Sequence, residues 1–489
     1  MRAKALLRPN VNRMNKGVDI QIPNESSEAH MRTSPKIVII GAGSATFGLS
    51  VLGALIGEQS LKGSQLCLVD ISRDGLARIA KLAKRLNDEW KAGMTIRSST
   101  ERREVLPEAD FVILSVAVDR EACWHQDMEI AKQHGIMHWA ETGGPGAFVH
   151  TARNLAVIMD IIRDMAELCP KAWLLNFTNP VQRICLAATR HSTIRTVGIC
   201  HQLTYGHMMV GVILAKELGI EVRPDYVFRF DGSGEYMRIA LEALKKVDIL
   251  AAGINHFTWM LSVRDRRTGE DLYPLLMERS RVHPCTKFEP LNREVAAIFG
   301  VFPVSGDCHL CEFLPYTHNM HRRSWERYMI PLPPLDMFTR RRPKQWERVD
   351  RLIAGQESVE PLRNAYSERA ECVIAAIVQN AHSYEPALNI PNRGYVSNLP
   401  EGTVVEVPAV VSADGIHGVA VGALPETVAY LCRRQILIAE LAVDAAVKGD
   451  RQLALQALAL DPMIDDLDVS CQLLDDYLTA FKSYLPQFR

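Results

Sequence analysis

What this sequence lacks narrows its class before any motif is read. No apolar run reaches the roughly 18 residues that a membrane-spanning helix needs, so no segment is expected to cross a bilayer. No sign of charge prevails: 56 Lys and Arg stand against 57 Asp and Glu, a formal net charge of −1, and the two signs are interspersed. A polyanion-binding surface is not built that way, so nucleic acid is not an expected partner. The 11 cysteines are an odd count without the close spacing of a small disulfide scaffold, which points to a reducing compartment and hence the cytoplasm. Residues 1–34 contain no apolar signal-peptide core, and their acidic residues do not suit a transit peptide. They read as a disordered tail outside the fold, with Met31 as an alternative start. Internal repeats and low-complexity tracts are lacking too.

What is present is an alternation of short apolar strands and helical segments. At 489 residues the chain exceeds one ordinary core and calls for two domains or a large doubly wound unit. "KIVIIGA", "QLCLVDI", "DFVILSVAV", "AWLLNFT" and "TVGICH" read as buried strands, and "DGLARIAKLAKRLNDEW" and "TARNLAVIMDIIRDMAELCP" as helices between them. Apolar strands separated by helices predict a parallel sheet covered on both faces. Residues 35–200 therefore read as a Rossmann-type doubly wound NAD-binding domain. Residues 201–489 read as a mixed α/β domain for substrate and metal with a helical C-terminal region. Within it, the basic, proline-rich "PLPPLDMFTRRRPKQWERVDRLIAG" reads as a surface excursion.

"IVIIGAGSATFG" follows a strand and opens a helix, the setting that a dinucleotide-binding fingerprint requires. Gly41 permits the tight turn, Gly43 lets the backbone approach a pyrophosphate, and Ser44 stands at the helix entrance. Thr46 occupies the place of the third glycine, so the motif is a variant. Asp70 ends the second strand, where a carboxylate can hold the adenosine ribose, which favours NAD over NADP; Arg73 nearby softens that preference. A lone G-x-G is weak; the strand, helix and acidic residue around it give it weight.

Four further pieces stand at the ends of elements, where an open α/β sheet presents its ligands. In "NFTNPV", Asn179 precedes a strand-ending proline and either points its amide at a ligand or makes a polar turn. In "GICHQ", Cys200 and His201 are neighbours that point to opposite sides if the strand continues, so they serve two functions rather than one nucleophilic pair. In "GINHFTW", His256 follows another apolar strand; a lone His is more often a satisfied polar residue than a ligand. "FPVSGDCHLCEFLPY" gathers Asp307, His309 and Glu312. Its C-x-x-C, Cys308 and Cys311, has no second pair to complete a structural zinc site, and both thiols read as core or incidental.

Taken together these pieces resemble glycoside hydrolase family 4, the NAD- and metal-dependent glycosidases, an exception to two-carboxylate glycoside hydrolysis. The likeness runs from "IVIIGAGSATF" through "NFTNPV", "GICH", "GINHFTW" and the Asp307 segment to "SNLPEGTVVEVPAVV" and "DPMIDD". It implies a lactate/malate dehydrogenase-like C-terminal domain and a soluble homo-oligomer, dimer or tetramer, acting on a small glycoside. It implies Cys200 and His256 as ligands of a divalent metal, usually Mn²⁺, although a thiolate–imidazole pair alone would suit zinc. His201 corresponds to the proton donor, Asp307 to the proton acceptor and Asn179 to a substrate-binding asparagine. The "CH" and "GD" pattern is similar to the branch acting on unphosphorylated α-glucosides, α-galactosides and α-glucuronides. The implied chemistry is transient oxidation at C3 by NAD, loss of the C2 proton, elimination, water addition and re-reduction.

Two features depart from the family pattern: Gln202, where a smaller residue is familiar, and a long segment 219–250. The arginine-rich "HRRSWERY" and "RRRPK" read as a solvated basic face, with recognition of an acidic sugar as the sharper alternative. A conventional lactate/malate-type dehydrogenase would share the strand pattern but has no use for Cys200 with His256. A non-catalytic NAD-binding protein would leave the whole polar constellation idle.

Overall fold

The strand KIVII (β1, Lys36–Ile40) is buried along nearly its whole length, as a strand apolar on both faces must be. Around it stand β2 (Gln65–Val69), β3 (Thr95–Ser99), β4 (Phe111–Leu114), β5 (Trp173–Asn176) and β6 (Arg195–Gly198). All pair in parallel, in the order β3-β2-β1-β4-β5-β6. This computed structural model describes residues 34–489 apart from 140, 229–233, 331–335 and 364, so the tail expected over 1–34 lies, Ser34 excepted, outside the described residues. The order is that of a doubly wound dinucleotide-binding sheet. It reverses between β1 and β4, whose carboxyl ends therefore flank a ligand crevice.

The crossovers follow from local sequence. Helix Arg73–Glu89 turns Leu76, Ile79, Leu82, Ala83 and Leu86 inward at helical spacing, and Ser72 caps it by accepting the Gly75 N–H at 3.3 Å. Each leucine or isoleucine so removed from water contributes about 1.5–3 kcal/mol.

Past β6 the sheet continues with its direction changed. β7 (Val247–Ile254), β8 (Phe257–Asp265), β9 (Phe302–Pro303), β10 (Ser383–Pro391), β11 (Val404–Ser412) and β12 (Gly415–Gly418) complete twelve strands among the described residues. β10 joins β6 antiparallel through Asn389 and Gly198, and the order runs on as β11-β7-β8-β9. One sheet thus carries both the parallel half and the mixed half expected from sequence, and its change of direction falls beside the strand leading into Cys200. The long helix Glu426–Lys448 folds back to share the core beneath helices Pro145–Leu168 and Val181–His191.

Three expectations need adjustment. The helix expected from Thr151 begins six residues earlier, at Pro145, whose missing N–H costs nothing in a first turn. The proline-rich basic segment is helical over Met337–Ile353 with Pro343 inside it. Its buried Val349 and Leu352, and Arg78 stacked 5.1 Å over Trp346, hold it on the surface of the parallel half. β6 ends at Gly198, so Cys200 and His201 are not on an extended strand. His201 caps the next helix, Gln202–Ile213, with φ −84° and ψ 11°.

Candidate active site

At the nucleotide end the backbone does the work. Gly41 has a φ of +95°, and a Cβ there would lie 1.9 Å from the Ser115 carbonyl oxygen on β4's exit, so no other residue fits. The N–H groups of Gly41 and Ala42 both donate to the Val69 carbonyl, at 2.9 and 3.0 Å. Asp70 accepts from the Gly43 N–H (2.7 Å) and the Ser72 N–H (2.8 Å), so it holds the fingerprint turn against the next helix entrance. Ser44 opens the helix Ala45–Gly57, and Arg73, the first residue of its own helix, is exposed.

At the chemical end two residues from distant segments meet. Cys200 Sγ lies 3.4 Å from His256 Nε2. Such a contact is a thiol–imidazole hydrogen bond, and it is also close to the roughly 3.5 Å that separates a sulfur and a nitrogen bound to one zinc-sized ion at a tetrahedral angle. His256 occupies the two-residue turn between β7 and β8 with a left-handed φ of +63°, a conformation unusual for histidine and common at functional sites. Burial, with the nearby His309 and His201, holds its imidazole well below the ordinary pKa, so it stays neutral. Burial, then the charges of Glu406 and Glu368, raises the Cys200 thiol well above its usual value; a metal has to displace that proton.

The surroundings fix the geometry of the pair. Thr142 Oγ1 donates to Glu312 Oε2 at 2.7 Å, which leaves its lone pair to accept from His256 Nδ1 at 3.3 Å. The imidazole proton is thereby kept on Nδ1 and Nε2 faces Cys200. Glu312, wholly buried, also accepts the N–H groups of Thr142 (2.9 Å) and Gly143 (3.0 Å), and His309 Nδ1 stands 2.8 Å from its other oxygen. The His309 ring packs on His256 with centroids 4.5 Å apart. Gln202 Oε1 accepts the His256 N–H at 2.8 Å, so the residue that departs from the family pattern pins the strained turn. Beneath the turn, buried Glu406 accepts from Asn255 (2.7 Å), Asn389 (3.0 Å) and Thr258 (3.0 Å). Among the described residues no group of three or more His, Cys, Asp or Glu stands close enough to hold a metal ion.

His201 is half-exposed beside this pair, with Nδ1 3.3 Å from Glu368 Oε1. Burial pulls its pKa down, but the Glu368 hydrogen bond and charge outweigh it and the pKa is raised. Asn179 Nδ2 reaches Glu141 at 3.5 Å, while its buried Oδ1 has no protein partner. Glu141 is buried, yet the Arg120 guanidinium (Nη2–Oε1 2.5 Å) brings its carboxyl down to about 2. Asp307 is built differently: its oxygens accept the N–H groups of Leu291 (2.9 Å) and Asn292 (2.7 Å) at the start of helix Pro290–Phe299. Burial and the adjacent Glu289 raise its pKa well above the usual carboxylate range. No hydrogen bond joins it to Cys200, His201 or His256 among the described residues.

The structure therefore gathers Cys200, His201 and His256, places Asn179 beside Glu141, and sets Asp307 in a neighbouring buried carboxylate pair. Sequence reasoning passed over Thr142 and Glu368 and the roles of Gln202 and Glu312. "ETGGPG" was the visible signal for the first, because three glycines at a helix entrance need a backbone reason. All eleven cysteines are free, and Cys311 is buried with its thiol donating to the Cys308 carbonyl at 3.5 Å, in line with a packing role. The basic stretches are paired surface: Arg340 with Asp336, Arg342 with Glu121, Arg327 with Glu294.

Comparison with known proteins places the chain in a family. The family 4 glycosyl hydrolase profile matches residues 36–217, and that of the family 4 glycosyl hydrolase C-terminal domain matches residues 251–464. An alpha-galactosidase of Bacillus subtilis (strain 168) is 30% identical, over 93% of this chain and 100% of its own. An alpha-glucosidase of Erwinia rhapontici is 28% identical, over 92% of this chain and 98% of its own. A solved 6-phospho-alpha-glucosidase from gut microorganisms, in complex with NAD and Mn²⁺, shares the fold: TM-score 0.73 at 20% identity, over 93% of this chain and 100% of that one. The chain belongs to family 4 of the glycosyl hydrolases, and it is a glycosidase.

Proposed function

We propose that this chain hydrolyses the O-glycosidic bond of an unphosphorylated α-glycoside, using NAD and a divalent metal, with residues 35–200 holding the nucleotide and residues 201–489 the sugar and metal. The observation that carries the reading is the 3.4 Å approach of Cys200 Sγ to His256 Nε2 at the end of a dinucleotide-binding sheet. A dehydrogenase for 2-hydroxy acids has no work for that pair. When bound, NAD supplies reversible hydride transfer at C3 of the sugar, and the metal, Mn²⁺ by analogy with the relatives, polarises the O2 and O3 oxygens.

The protein's own groups do the rest. Gly41, Gly43 and Ser44 line the nucleotide turn, and Asp70 faces the ribose position. The unpartnered Asn179 Oδ1 accepts a sugar hydroxyl. Asp307 accepts the C2 proton: a carboxylate has about four lone-pair sites, so two amide bonds leave room for it. His201, half-exposed at the mouth, protonates the departing oxygen. No helix of the described residues is long and apolar enough to cross a membrane. The free cysteines support a cytoplasmic setting, and a homo-oligomer follows the family pattern; light scattering decides its order.

A panel of nitrophenyl α- and β-glycosides, including uronides and 6-phosphates, with NAD and Mn²⁺ each added or withheld, tests the reading. Release of nitrophenol from a neutral or uronic α-glycoside only when both are present is the expected result. Turnover undiminished without NAD, or confined to the 6-phosphates, contradicts it.

A further inference from the structure

Residues 366–369 are tied down on both sides of Glu368. Tyr366 OH lies 2.5 Å from Thr204 Oγ1, in the first turn of the helix that His201 caps. Arg369, at a left-handed φ of 72°, lays its guanidinium on the buried carboxylate of Glu385 in β10 at 2.7 and 2.9 Å. Ser367 Oγ accepts the Arg369 N–H at 3.0 Å and donates to Glu371 at 2.5 Å. A backbone so constrained brings Glu368 to His201, with Oε1 3.3 Å from Nδ1. The need for it is visible in the exposure of the two side chains, 51% for His201 and 29% for Glu368. An imidazole that exposed and unheld samples several rotamers. One whose Nδ1 is paired with a carboxylate is biased toward the orientation that leaves Nε2 to face the site.

We infer that Glu368 is the positioning residue for the proton donor: it holds His201 so that Nε2–H meets the glycosidic oxygen as it departs. The inference rests on the reading of His201 as that donor. In the step, the C1–O1 bond breaks with its electron pair going to O1, and the electrons left at C2 by loss of its proton close the C1–C2 double bond. O1 takes the proton from His201 Nε2, and the ring keeps its Nδ1 proton on Glu368. Solvent returns the Nε2 proton afterwards.

Leaving-group dependence tests this. Wild type, Glu368→Ala, Glu368→Gln and His201→Ala are compared on a series of glycosides of one glycone, from dinitrophenyl through phenyl to methyl. A dinitrophenolate departs without a proton, whereas methoxide cannot. Glu368→Ala should lose about 10- to 100-fold in kcat on the phenyl and methyl glycosides and less than about threefold on the dinitrophenyl glycoside. KM, NAD affinity and melting temperature should not move. Glu368→Gln, which still accepts from Nδ1–H, should show the same selectivity in smaller size, and it decides the matter if the alanine variant does not fold. A uniform loss across leaving groups, or none, overturns the inference. His201→Ala separates the two readings. If it is selective and Glu368→Ala is not, only the role of Glu368 fails; if it is not selective, His201 is not the donor and both fail.

Discussion

The two ends of the crevice are built on opposite plans. At the nucleotide end, consecutive residues 41–44 and the end of the next strand suffice, and the polar groups satisfy one another: Gly43 N–H rests on Asp70, Gly41 and Ala42 on Val69. At the chemical end, Cys200, His256, Thr142, Glu312, Asn179 and Glu368 come from separate stretches of chain. Polar atoms such as Asn179 Oδ1 and Gln202 Nε2 are buried there without a protein partner. A turn that binds a standard cofactor can be specified locally by glycine and backbone. A site that moves protons needs side chains brought in from many directions and some hydrogen-bonding capacity held back for the ligand.

The contrast can be broken from either side. The largest effect is expected from Cys200→Ser. Loss of the thiolate ligand should abolish metal binding and lower kcat/KM by roughly 10³-fold or more, the scale of several kcal/mol of charge stabilisation. NAD binding by fluorescence should be unchanged; retained metal binding by calorimetry would remove Cys200 from the ligand set. Gly43→Ala is the converse. Its Cβ would sit 2.6 Å from the Asp70 carboxyl carbon and push that side chain off the Gly43 N–H. NAD affinity should fall by about 10- to 100-fold, the loss of one or two good hydrogen bonds, while metal affinity holds. A parallel fall in both affinities would show that the two ends are not independent.

The smallest effect is in pH. The Cys200 thiol is raised by burial and by the Glu406 and Glu368 charges, so throughout the neutral range the proton competes with the metal. Metal affinity should therefore rise with pH, by about tenfold per unit for one displaced proton, and fall as pH drops. The slope measured by titration calorimetry in two buffers of different ionisation heat gives the proton count. A flat profile would mean that the thiol does not ligate.

The same contrast explains how much was legible beforehand. β1, β2, β4 and β5 were plain in the sequence because a strand buried on both faces has to be an apolar run. The Gly41–Gly43 turn was plain because the contacts that call for glycine there, with Ser115 and Asp70, are made at adjoining strand ends. The Met337–Ile353 helix was obscured by Pro343 and its arginines, and is held by packing that no local pattern shows. Glu312 was visible as a carboxylate but not as the hub of the site, because its partner Thr142 lies 170 residues away in sequence. Gln202 looked like a mere departure from pattern until the His256 turn was seen resting on it. Asp307 stays the assigned base by resemblance, while its amide bonds show a second duty, capping the helix Pro290–Phe299.

The central claim is that the glycosidic bond is cut through transient oxidation of the sugar, and the fate of hydrogen at C2 tests it most directly. Turnover in D₂O with NAD and Mn²⁺, followed by NMR of the released sugar, should show one deuterium at C2 and no net accumulation of NADH. Sugar released with its C2 hydrogen fully retained would contradict the account.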